Sequence, residues 1–156
     1  WTEETAITGA QLSDDHFNMK VSSDGRVFVA MKTSLTGAND PLEGLIVRSP
    51  DGTWSPLYPT WTFAEWTTRA LVMLDEIHNR VYVFGSVGHN YIAYKSSDMT
   101  HISFPTGVGT SLVQSSKVND INDPNSSKQN LQPGMGIVVQ ASSPGDLSYW
   151  HGELTP

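Results

Sequence analysis

Cysteine is absent from the 156 residues, which removes disulfides and thiolate metal sites together. Charge is scarce as well. Only 16% of residues are Asp, Glu, Lys or Arg, and nine Lys and Arg stand against 16 Asp and Glu. A net charge of −7 leaves no basic cluster for a phosphate backbone, so no nucleic-acid partner is expected. No apolar run approaches the ~20 residues of a membrane-crossing helix, so no membrane span is expected either. No stretch combines a 3.6-residue apolar period with capping residues, which excludes a long helix. Nor is there a G-x-S-x-G, H-E-x-x-H or phosphate-binding loop, and no cofactor is expected.

What remains is rich in Val, Ile, Thr and aromatics, cut by Gly, Asn, Asp and Ser. Arg69–Pro105 is the clearest stretch. Its apolar runs at Arg69–Leu74, Arg80–Gly85, Tyr91–Lys95 and His101–Phe104 suit a pleated, half-buried surface, and its separators are turn formers. Four short strands with tight connections make an antiparallel meander. Earlier in the chain, His16–Val21 alternates, with Phe17, Met19 and Val21 on one face. Asp24-Gly25 signals a hairpin. Arg26–Thr33, Gly44–Arg48 and Thr53–Tyr58 then follow as strands, with a polar loop over Leu35–Glu43. The chain reads as all-β.

The pieces recur. Asp24-Gly25-Arg26-Val27-Phe28-Val29 aligns with His78-Asn79-Arg80-Val81-Tyr82-Val83 at an offset of 54, and a weaker copy, Gly136-Ile137-Val138-Val139, follows 56 residues later. Four strands per repeat of about 50 residues is the signature of β-propeller blades. The expected blades are residues 12–60, 66–106 and 118–154. The third has strands near Lys128–Leu131, Gly136–Ala141 and Leu147–Gly152 but lacks its outer strand. Trp1–Thr8 is expected to be a closing strand that completes a blade, with Trp1 the counterpart of Trp54. Three blades fall short of the four to eight that close a ring. The chain is therefore expected to be part of a longer propeller, or to assemble with a second copy. A β-sandwich is the alternative fold.

The turns Ser49-Pro50-Asp51-Gly52-Thr53-Trp54 and Ser96-Ser97-Asp98-Met99-Thr100-His101-Ile102 resemble the Asp-box of sialidase-like propellers, Ser-x-Asp-x-Gly-x-x-Trp. The first is two residues short before its Trp, and the second lacks Gly and Trp. In such a box the Asp accepts hydrogen bonds from turn amides, so the resemblance implies a fold and not an activity. The segments DDHFNMK, DGRVFVAMKTS, WTTRALVMLDE, YKSSDM and YWHGEL also look like uncharacterised bacterial secreted propeller proteins. Low charge, five Trp and abundant Ser, Thr and Asn point the same way, to a secreted, extracellular protein. The chain starts at Trp1 without Met or signal peptide, as a processed product or a piece of a longer chain would.

In a propeller the first strand of each blade lines the central channel, and the loops leading into it form the binding face. The residues expected there are Asp15, His16 and Asn18, then Trp66 and Arg69, then Lys128 and Gln129. His16, Arg69 and Lys128 bring a cation or imidazole to equivalent places. They form either a ring that holds carboxylate, sulfate or sugar hydroxyls, or the polar wall of a wet channel paired with Asp14 and Asp15. Trp61 and Trp66 flank an aromatic loop, which either packs over a blade edge or offers a stacking platform. A sialidase mechanism would need an arginine cluster, and Arg26, Arg48 and Arg80 lie away from Arg69. Asp14 and Asp15 point apart as neighbours on a strand, which leaves Glu65 as the partner for hydrolysis. Asn119–Asn125 is dense in oxygen ligands but lacks the central Gly and closing Glu of a Ca²⁺ loop. His78, His89, His101 and His151 are scattered, and no metal site is expected. These residues favour a non-catalytic binding module for a carbohydrate or protein ligand. The rivals are a sialidase-like glycan-cleaving enzyme and a purely structural piece of a larger assembly.

Overall fold

A computed structural model describes residues 3–156. The chain forms three antiparallel sheets in succession, each a simple meander. The first holds β1 (Phe17–Val21), β2 (Val27–Lys32), β3 (Pro41–Arg48) and β4 (Tyr58–Thr62). The second holds β5 (Thr67–Asp75), β6 (Arg80–Val87), β7 (Tyr91–Asp98) and β8 (Thr110–Val113). The third has three strands, β9 (Asn122–Asn125), β10 (Ile137–Ser143) and β11 (Ser148–Leu154). Among the described residues no strand pairs with a strand of another sheet. The segments that align in sequence fall on β2, β6 and β10, the second strand of each sheet.

Strand alternation sends apolar side chains to both faces of the middle sheet, so it packs on both sides. Phe28, Ala30, Leu45, Val47 and Trp61 of the first sheet meet Val72, Leu74, Val81 and Val83 of the second. On the opposite face, Leu71, Met73, Phe84 and Ile92 meet Ile137, Val139 and Ala141 of the third. The order in space is first, second, third sheet. Gly152 on β11 lies directly against the backbone of β8, where a Cβ would come within 3.0 Å of the Leu112 carbonyl.

The fourth strands differ from their expected positions. Thr53–Tyr58 contributes one bridge, Trp54 to Arg48, because the Ser55 hydroxyl accepts the Val47 amide (2.9 Å) and pairing resumes only at Tyr58. Trp61 therefore sits on β4, fully buried, and is packing rather than platform. His101–Phe104 is not a strand. Asp98 gathers the Thr100 and His101 amides (2.7 and 3.0 Å), which turns the chain off the sheet edge, and Ile102 and Phe104 pack against the core between the first two sheets.

The amino terminus also departs from expectation. Residues 3–8 form no strand, and Trp1, with its Trp54 correspondence, lies outside the described residues. Ala6 and Ile7 pack on the outer face of the first sheet against Val29, Met31 and Ile46, and Glu4 pairs with Arg48. That face is apolar and gains from cover, whereas among the described residues the third sheet has three strands. The cover is partial: Phe17, Met19 and Val21 on β1 remain exposed beside it.

Candidate functional site

The first strand of the second sheet, β5, runs beside β1 on one side and β9 on the other. The Asn18 amide oxygen on β1 accepts the Val72 amide of β5 (3.2 Å), and the Lys20 ammonium reaches the Ser127 carbonyl beyond β9 (2.8 Å). Where the three strands begin, they border a shallow, open cavity of ≈ 360 Å³ lined by Asp15, His16, Asn18, Arg69, Asp123 and Asn125.

Two backbone irregularities build it. The β5–β6 register breaks between Thr68 and Leu71, and Arg69 within that bulge has φ 62°. The β9–β10 register breaks between Gln140 and Ser142, and Asp123 has φ 54°. Left-handed backbone at a non-glycine residue costs of order 1–3 kcal/mol and persists where surroundings impose it. Bulges re-aim side chains, and here they bring the Arg69 guanidinium and the Asp123 carboxylate into an ion pair. Asn122 takes a second Arg69 N–H on its amide oxygen (3.4 Å) and turns its NH₂ to the His89 ring (3.2 Å).

The other wall is Asp14-Asp15-His16, whose ligand atoms all lie within 4.8 Å of one another. His16 Nδ1 is 2.6 Å from Asp15 Oδ1. Asp14 faces Lys32 Nζ at 2.9 Å. Burial works to raise the Asp14 pKa, but hydrogen bonds from Asp15 and Lys32 prevail and hold it well below the usual carboxylate range. The Lys32 ammonium already neutralises this carboxylate, so the cluster is an internal ion pair with His16 at its edge.

Four of the expected site residues, Asp15, His16, Asn18 and Arg69, thus converge in one cavity. Trp66 lies in a second cavity. Lys128 and Gln129 sit on an exposed bend further along the chain, because the first strand of the third sheet starts at Asn122 and not near Lys128. The expected ring of His16, Arg69 and Lys128 does not form. Its third place is filled by a carboxylate, Asp123. Nothing apolar marks Asn122-Asp123-Pro124-Asn125 as a strand. Its anchor is Ile121, fully buried in the core between the second and third sheets.

The oxygens of Asn119–Asn125 do not gather on one point. Asp120 accepts from Ser143 and Gly145, while Asn122 and Asp123 serve Arg69. Glu65, the residue expected to complete a hydrolytic pair, is engaged elsewhere. Its carboxylate accepts the Thr62 and Gly107 amides and lies 3.7 Å from buried Lys95. Arg26, Arg48 and Arg80 contact Asp24, Glu4 and Ser96, outside the cavity. No family model, curated protein or solved structure matches this chain.

Proposed function

We propose that this chain is a secreted, non-catalytic propeller-type module that binds carbohydrate in the cavity between β1, β5 and β9. The observation that carries the reading is the bulged pair Arg69 and Asp123, two left-handed residues held face to face over the cavity. Their charges compensate, so the wall offers fixed donors and acceptors without net charge. Beside them stand the amides of Asn18 and Asn125, and the Asp15–His16 pair. Sugar hydroxyls are donors and acceptors at once and match such a surface, whereas a carboxylate or sulfate would require an unpaired cation. A cavity of this size suits a small ring better than the ~800 Å² per partner of a protein interface.

The propeller reading is supported by three meanders stacked face to face, with first strands adjacent and the aligned segments on equivalent strands. The Asp51 and Asp98 turns also carry the hydrogen bonds of an Asp-box: Asp51 accepts the Thr53 amide (2.9 Å) and Asp98 the Thr100 amide (2.7 Å). Trp54 departs from the box, since it packs on the outer face of the first sheet. Exposed apolar side chains on that face support further blades, in this chain's continuation or in a second copy. The sialidase-like alternative loses its supports, because Glu65 braces a turn and Arg69 is paired. Secretion rests on composition and on the resemblance.

A glycan array with the intact protein, scored for both binding and cleavage products, tests the proposal. Binding without turnover is expected. The neutral double variant Arg69→Ala/Asp123→Ala should lose ~10-fold or more of that affinity, the scale of a charge-assisted hydrogen bond, while Lys128→Ala retains it. Cleavage of any glycan, or silence on all of them, would overturn the reading.

A further inference from the structure

A second cavity, of ≈ 330 Å³, opens at the same end of the sheets. Lys32 and Leu35 form one wall, Phe63, Trp66 and Thr67 another, and His89 from the β6–β7 turn closes it. Trp66 is 65% exposed. Five residues earlier, Trp61 is only 1% exposed, so the two indoles of this loop have opposite environments.

The backbone fixes that choice. Trp66 has φ 44°, follows the short 3₁₀ turn Phe63–Glu65, donates to the Phe63 carbonyl (3.1 Å) and accepts the Gly88 amide (3.0 Å). A strained, hydrogen-bonded turn therefore spends stability to present an aromatic face to solvent. Below it the Thr67 hydroxyl is buried without a hydrogen-bond partner.

The two cavities are joined through shared residues. Asp14 lines the second, and its carboxylate faces His16 of the first (3.4 Å). On the other side Asn122 links Arg69 of the first to His89 of the second. Both cations at this surface are spoken for: Lys32 by Asp14 and Arg69 by Asp123. We infer that the cavities are subsites of one groove that takes a neutral oligosaccharide of at least two rings. One ring stacks on Trp66, and the next hydrogen-bonds in the Arg69–Asp123 cavity. This rests on the carbohydrate reading above and specifies its ligand class.

The experiment is a chain-length series of neutral gluco-, xylo- and manno-oligosaccharides of one to six units, titrated calorimetrically into the intact protein. The matching uronic-acid oligomers serve as the charged comparison. Affinity of the wild type should rise ~10-fold or more from one ring to two or three, the scale of one aromatic stacking contact. Trp66→Ala should flatten that rise. Trp66→Phe, which keeps an aromatic face and guards against a misfolded variant, should restore part of it. A length dependence that survives Trp66→Ala, or tighter binding of the uronic-acid series, overturns the two-subsite inference while the single cavity stands. If no oligosaccharide binds the wild type, or Arg69→Ala/Asp123→Ala binds as the wild type does, the carbohydrate reading itself falls.

Discussion

Glu43 offers the sharpest test of the packing. It lies on β3 on the face that carries Leu45 and Val47 toward the second sheet, and it is 0% exposed. Neither carboxylate oxygen makes a well-formed hydrogen bond, the Ala70 backbone offering only a weak one. Its cross-strand neighbour Lys32 turns its ammonium to Asp14 instead. Space for the carboxyl exists because residue 85 is Gly: a Cβ there would sit 3.0 Å from Glu43 Oε2 and 3.4 Å from the Trp61 ring. Burial dominates. It pushes the Glu43 pKa from 4.5 up to about 8, against weaker opposing pulls from Lys32 and the Ala70 backbone. Between these two values the unfolded chain has lost the proton and the folded chain keeps it. The folded state then binds more protons, so stability falls as pH rises. The contribution is fully present below 4.5 and is lost by about 8. At 1.36 kcal/mol per pKa unit the loss is on the order of 5 kcal/mol, or about 10–20 °C in Tm for a chain of this size. Calorimetric melting of the wild type and Glu43→Gln from pH 4 to 9 isolates it, since other titrating groups cancel in the difference. The wild type should lose this increment relative to the variant, most steeply between pH 5 and 8. Parallel curves, or a Glu43 carboxyl that titrates near 4.5 by NMR, would refute the reasoning.

Two further outcomes follow from local geometry. Gly152→Ala places a methyl against the Leu112 carbonyl, a backbone atom that cannot turn aside, and should destabilise by about 1–3 kcal/mol, measured by urea unfolding. Asp98, held down to about pH 2 by hydrogen bonds from the Thr100 hydroxyl and amide, contributes stability above its ordinary 3.8 that is lost as pH falls toward 2. Asp98→Asn should therefore flatten acid unfolding in that window, and an unchanged acid limb would refute the assignment.

Much of the architecture is written in the sequence, because strand alternation and turn chemistry are local. Phe17, Met19 and Val21 at every second position, and the unbroken β-formers Val81, Tyr82, Val83 and Phe84, specify pleated strands whatever surrounds them, and Asp24-Gly25 turns the chain with φ 85° at its glycine. The second strands at Val27, Arg80 and Ile137, and with them the succession of three meanders, were legible for that reason. So were Asp15, His16, Asn18 and Arg69, since residues at the starts of successive first strands meet wherever those strands lie side by side. The outer fourth strands were not legible. β4 and β8 are set by where a sheet edge finds free amides and by what fills the gap beside it, as Ser55 and Phe104 show. Nor was Asp123, whose strand has no apolar residue of its own and exists because buried Ile121 anchors it. The charge balance of the cavity was likewise a tertiary decision. A sequence records an arginine and an aspartate 54 positions apart, but only two bulges in different sheets turn them into one neutral pair.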